Sequence, residues 1–144
     1  MWFKNFTIED LQREVKGNMM EHIGIEFTDI GEDYLAAKMP VDYRTTQPLG
    51  LLHGGASVAL AESLGSMATY LCLDTEKLYC VGLEINANHI RSVKDGYVYG
   101  IAKPLHMGRN THIWEIKITD QDKKLICVSR LTRAIMSKNK ETRT

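Results

Sequence analysis

Gln47-Pro48-Leu49-Gly50-Leu51-Leu52-His53-Gly54-Gly55-Ala56-Ser57-Val58-Ala59-Leu60-Ala61-Glu62-Ser63-Leu64-Gly65-Ser66-Met67-Ala68-Thr69-Tyr70-Leu71 is the most apolar stretch of the 144-residue chain. Glu62 is the only formally charged residue between Arg44 and Asp74. From Gly55 onward the stretch is rich in Ala, Leu and Met, which is the composition of a buried helix. A carboxylate in such a helix is costly unless something pairs with it or uses it. An isolated buried Glu most often serves as a hydrogen-bonded core residue. Here the His-Gly-Gly opening and the Ser66 hydroxyl, one turn beyond Glu62, turn the reading towards chemistry.

Working outward, residues 42–52 form a loop broken by Pro48 and Gly50, and it feeds a helix expected over 54–73. Upstream, Thr7-Ile8-Glu9-Asp10 is a capping start for a short amphipathic helix to about Val15, ended by Gly17. Ile23–Asp29 and Tyr34–Val41 read as strands joined at Gly31-Glu32-Asp33. Downstream, Cys80–Arg91, Gly96–Leu105, Thr111–Asp120 and Leu125–Met136 read as four more strands. In the third of these, His112, Trp114, Ile116 and Ile118 share one face.

This order predicts an α+β fold in which an antiparallel sheet wraps round one long central helix, the only element able to cover its apolar face. A single domain spans residues 1–144, with a polar, frayed tail from about 137. An open sheet leaves two edges, and pairing of edges between subunits is a common remedy, so an oligomer is expected.

Eighteen basic and 18 acidic residues cancel, so nothing in the global charge points to nucleic acid or an anionic membrane. Cys72, Cys80 and Cys127 form no CxxC pair and have apolar neighbours, as reduced core residues would. The five histidines have no ligand spacing, so no metal is expected. The apolar run from Leu49 to Leu73 is long enough to span a bilayer, but Glu62, its glycines and serines, and the lack of flanking basic residues favour a buried helix. With no secretory signal at Met1–Phe6, a cytoplasmic location is expected.

Backbone N–H groups at the start of the 54–73 helix favour developing negative charge, as at an oxyanion hole for a thioester or ester carbonyl. Close packing of the helix start against a strand explains Gly54-Gly55 equally well. Glu62 lies nine residues beyond His53, about 2.5 turns and roughly 13 Å of rise. The two groups point to nearly opposite faces and cannot act on one bond within one chain. Either one is structural, or Glu62 of one subunit meets the His53–Gly55 corner of another. A Ser–His–Asp triad is disfavoured because no serine sits in a GxSxG elbow. Asn88-His89-Ile90-Arg91-Ser92 and Pro104-Leu105-His106-Met107-Gly108-Arg109-Asn110-Thr111 gather basic and hydroxyl groups in two loops. Each alone reads as a solvated turn; together they suit the phosphates of a ligand.

Gln47-Pro48-x-Gly50-x-x-His53-Gly54-Gly55 followed by Glu62-Ser63-x-Gly65-Ser66 resembles the hotdog-fold acyl-CoA thioesterases, in particular the bacterial aryl-CoA group with dihydroxynaphthoyl-CoA, hydroxybenzoyl-CoA and enterobactin-proofreading members. Met39-Pro40-Val41-Asp42, Val81-Gly82-Leu83-Glu84-Ile85-Asn86-Ala87-Asn88-His89 and Leu105-His106-x-Gly108 carry the same resemblance, which extends from about residue 18 to 136. It implies a hotdog fold, a homotetramer built as a dimer of dimers, and sites at the dimer interface. It also implies that Glu62 is the nucleophile or general base beside Ser66, that Gln47 and His53 come from the opposing subunit, and that the Gly55 N–H polarises the carbonyl. Gly82, His89, Ile90, Arg91, Ser92, His106, Met107, Gly108, Arg109, Asn110 and Thr111 would bind substrate and its CoA portion. The 109–111 stretch varies within that family, although a basic residue is present here.

The expected activity is hydrolysis of an acyl-CoA, with an aromatic or otherwise bulky acyl group and no cofactor beyond the CoA of the substrate. Glu62 either attacks the carbonyl to give a mixed anhydride or activates water. The alternatives are a non-catalytic acyl-CoA or acyl-carrier binding module, which has no use for Glu62, and a hotdog hydroxyacyl-thioester dehydratase.

Overall fold

The computed structural model describes residues 1–138. In chain order it contains α1 (Ile8–Val15), α2 (Met19–His22), β1 (Glu26–Ile30), β2 (Leu35–Pro40), α3 (Gly54–Leu71), β3 (Leu78–His89), β4 (Tyr97–Met107), β5 (Thr111–Thr119) and β6 (Leu125–Ser137). The strands form one antiparallel sheet in the order β1-β2-β4-β5-β6-β3, and α3 lies across its inner face. This is the α+β hotdog arrangement.

Local chemistry sets the elements. Thr7 and Asp10 close a capping box on α1, whose buried Leu11 and Val15 turn inward. The first strand begins at Glu26 rather than Ile23, because residues 19–22 form the extra turn α2. Asn18 caps that turn by accepting from Met20 N–H at 3.0 Å, a competing use of the backbone just ahead of the expected strand. Helix α3 stops at Leu71, two residues short of the expected end, with Cys72 as its C-cap. Strand β6 runs on to Ser137, and the rest of the expected frayed tail, residues 139–144, lies outside the described residues.

The core sits between α3 and the sheet. Leu60, Leu64, Ala68 and Leu71 meet Val98, Ala102, Trp114, Ile116 and Leu131, all fully buried. Each such Leu or Ile contributes about 1.5–3 kcal/mol by leaving water. His112, Trp114, Ile116 and Ile118 are buried together, as their alternation requires. The Trp114 indole N–H donates to Thr69 Oγ1 at 2.8 Å, which satisfies the one polar atom of the largest core side chain. Helix and sheet approach closely at a glycine from each layer: a Cβ on Gly65 would lie 2.5 Å from Leu131, and one on Gly100 would lie 2.5 Å from Leu64.

One side of α3 stays open. Glu62, Ser63, Ser66 and Tyr70 form a stripe that the sheet does not cover, and the Glu62 side chain keeps 38% of its exposure. The helix is therefore not apolar all round. Among the described residues no helix is long and apolar enough to cross a membrane.

Candidate active site

The open stripe of α3 and the first half of β3 enclose a cavity of about 460 Å³. Glu62 and Ser66 lie in its wall beside Met67, Tyr70, Tyr79 and Arg133. Ser66 Oγ donates to Glu62 Oε1 at 3.1 Å, the contact expected for an i,i+4 pair. Arg133 Nη1 donates to the same oxygen at 3.1 Å, so the carboxylate is half of an ion pair whose arginine side chain is 12% exposed. Gly82 stands over the pair. A Cβ there would lie 3.2 Å from Arg133 Nη1 and 3.3 Å from Glu62 Oε1, closer than most side chains come.

The start of α3 belongs to a second cavity of about 360 Å³, whose lining includes Gln47, Gly54, His89, Ile90, Arg91 and Ser92. The two linings share no residue. His53 is the N-cap: its Nδ1 accepts from the Gly55 N–H at 2.8 Å, which leaves the ring proton on Nε2. The N–H expected to polarise a carbonyl is thus engaged with the imidazole in the free chain. Gly54 has the packing role weighed for it, since a Cβ there would lie 2.8 Å from His89 Nε2. The Gln47 side chain accepts from the Leu49 N–H, and Gly50 N–H donates to Gln47 O at 2.8 Å, closing a tight turn with Gly50 at φ 77°.

The two basic loops do not meet within one chain. His89 pairs in register with Cys127 of β6, whereas Thr111 pairs with Ala134 at the other end of that strand. Seven residues of strand separate them, about 23 Å. Within one chain the two loops therefore lie apart. The 88–92 segment sits with the helix start, and Arg91 Nη1 donates to Leu125 O at 3.1 Å. The expected 104–111 connection is shorter, because its ends pair in the sheet: Pro104, Leu105, His106 and Met107 belong to β4 and Thr111 to β5, so Gly108, Arg109 and Asn110 make the turn, at the end nearer Gly82 and Arg133. Gly108 N–H donates to Thr111 O at 2.8 Å, and Arg109 is exposed.

Arg133 is the residue the sequence reading missed. A signal was available: Cys127, Ser129 and Leu131 are the buried alternate positions of β6, and counting two further places an arginine on the inner face. Burial lowers the pKa of neighbouring His112, with His106 adding to the effect, which favours its neutral form. Burial also pushes the Cys72 thiol up to about 11 and raises that of Cys127, which keeps both unreactive.

Comparison with known proteins matches residues 49–127 to the thioesterase superfamily. The chain belongs to that family. It is a thioester hydrolase. The sequence is 54% identical over 136 residues to the 1,4-dihydroxy-2-naphthoyl-CoA hydrolase of Escherichia coli, covering 94% of this chain and 99% of that one. It is 52% identical over 137 residues to the proofreading thioesterase EntH of Cronobacter turicensis, covering 94% and 98%. The crystal structure of a mutant of thioesterase PA1618 from Pseudomonas aeruginosa superposes on this thioesterase with a TM-score of 0.93 at 49% identity, over 94% of this chain and 98% of that one.

Proposed function

We propose that this thioesterase hydrolyses an acyl-CoA whose acyl group is aromatic or comparably bulky, using Glu62 as nucleophile or general base. The observation that carries the reading is the Glu62–Ser66 pair in the wall of a cavity of about 460 Å³ whose other lining includes Met67, Tyr70, Leu73 and Tyr79. An apolar chamber with a few converging polar groups is how a protein holds a flat acyl group. The relatives named for a naphthoyl-CoA and for proofreading support the aromatic class.

The working unit is a homodimer, itself paired into a tetramer. Strand β3 is a 12-residue sheet edge with Tyr79, Val81 and Leu83 exposed, a surface that invites pairing. Two copies pairing antiparallel about Ile85–Asn86 would set Gly82 of one against His89 of the partner subunit. That brings Glu62 and Ser66 to the helix start bearing Gln47 and His53, and it brings the two basic loops to one nucleotide. The thioester carbon then faces Glu62. The Gly55 N–H exchanges its His53 acceptor for the carbonyl oxygen, which acquires negative charge as the bond is attacked. Arg91, Ser92 and Arg109 hold phosphates, with His89, Ile90, His106, Met107, Gly108, Asn110 and Thr111 lining the path. Exposed Tyr99, Ile101 and Leu105 on β4 give a second apolar face for joining dimers.

The test is thiol release, followed with a chromogenic thiol reagent, across a panel of CoA thioesters. Benzoyl-CoA and larger aryl-CoA esters are expected to exceed acetyl-CoA in kcat/KM by about 10²-fold or more, the scale set by filling an apolar pocket. Equal rates across the panel, or a preference for acetyl-CoA, would overturn the aromatic assignment.

A further inference from the structure

The Glu62–Arg133 ion pair has no part in the mechanism above, and its geometry is specific. Two donors reach the carboxylate from different layers of the fold, Ser66 Oγ along α3 and Arg133 Nη1 across from β6, and both end on Oε1 at 3.1 Å. Among the described residues no hydrogen bond is made to Oε2. One restraint would leave the carboxylate free to rotate about its terminal torsion, a broad and soft coordinate. Two restraints from different directions fix its plane. A stability role explains the pair poorly. Arg133 Nη2 makes a long contact to Cys80 O at 3.5 Å and one at 3.3 Å to Cys80 Sγ, a weak acceptor, and buried Nε has no acceptor among the described residues. A half-buried ion pair with an unsatisfied donor contributes little to folding. Gly82, directly opposite Arg133 in the β3–β6 register, leaves the pair uncovered towards the cavity.

We propose that Arg133 is a positioning residue for the hydrolysis: with Ser66 it locks Oε1 of Glu62, so that Oε2 is the oxygen presented to the thioester carbon or to its attacking water. The inference rests on the reading of Glu62 as the reacting carboxylate. A guanidinium fits the task because its planar fork holds direction as well as charge. Arg133 acts through Glu62, holding the oxygen that does not react.

The experiment compares the parent with Arg133→Gln and Arg133→Lys in steady-state hydrolysis of benzoyl-CoA, and follows thermal unfolding of Glu62→Gln, Arg133→Gln and the double variant. Arg133→Gln is expected to lose about 10²-fold in kcat, the cost of misplacing a reacting group by about 1 Å, with KM changed less than about threefold. Arg133→Lys, which keeps the charge and one donor but not the fork, is expected to recover part of the loss. In the unfolding cycle the double variant is expected to lose less in Tm than the two single variants together. An Arg133→Gln enzyme with parent kcat overturns the proposal, as does a loss carried in KM or additive Tm shifts. A parent that hydrolyses no CoA thioester overturns instead the functional reading on which it rests.

Discussion

The start of α3 and its middle, eight residues apart, are both furnished for chemistry by different means. At the start the groups are backbone: Gly55 N–H, capped by His53, with Gly54 letting His89 lie against the helix. In the middle they are side chains: Glu62 held by Ser66 and Arg133, with Gly82 leaving them open. The first can stabilise negative charge but has no carboxylate. The second has a carboxylate, but the backbone N–H groups of the helix start line the other cavity. On the function proposed above, the difference makes each chain the bearer of two half-sites, which the rise of one helix keeps from serving one bond.

Breaking the middle half should have the largest effect. Glu62→Gln keeps the size and removes the charge, so loss of activity is not attributable to lost volume. A fall of about 10²–10⁴-fold in kcat is expected for a general base, and more for a nucleophile. Benzoyl-CoA binding, measured by calorimetry, should persist. Turnover at the parent rate would make Glu62 structural.

Weakening the periphery should have a smaller effect of a different kind. Arg91 goes with the helix start and Arg109 with the Gly82 end, so the proposed function brings both to one nucleotide only by joining two half-sites. Replacing either by Ala should raise KM for benzoyl-CoA by about 10-fold with little change in kcat, as loss of a charge-assisted phosphate contact would. A benzoyl thioester that keeps the pantetheine arm but lacks the nucleotide should be hydrolysed by parent and variants alike. Added salt should narrow the difference on the full substrate, since exposed charges are screened. Equal losses on both substrates would remove these loops from nucleotide binding.

Outside both half-sites, His112 offers the smallest effect. Burial holds its folded-state pKa below the usual value of 6.5, so the unfolded chain binds the proton more readily. The stability this group contributes is complete above pH 6.5 and is lost as the pH falls from there through the folded-state value. Tm should therefore drop between pH 7 and pH 5, and His112→Gln should flatten part of that drop. An unchanged slope in the variant would assign the pH dependence to other groups.

The sequence displayed the first half-site better than the second. His-Gly-Gly behind Pro48 and Gly50 announces a helix start, because glycine and proline act locally and their effect can be read without knowing the fold. Glu62 and Ser66 were legible for a similar reason, their i,i+4 spacing on one helix. Arg133 lies 71 residues away from Glu62, and only the strand order β6-β3 at the sheet edge brings it near. The same non-local register decided the basic loops, which resemble each other in composition yet sit at opposite ends of β6. In α2, Asn18 caps a single turn just ahead of the segment that reads as a strand from Ile23, a local competition whose outcome periodicity does not reveal.

Subunit complementation tests the two-half account most directly. Inactive Glu62→Gln subunits, mixed with inactive His53→Ala subunits under conditions where exchange is verified by mass spectrometry, should regain activity. In each mixed dimer one shared site would then hold an intact Glu62 from one chain and an intact His53 from the other. A statistical mixture should recover about a quarter of the parent rate: half of the dimers are mixed, each with one of its two sites restored. No recovery after verified exchange would place the whole site within one chain and contradict the account.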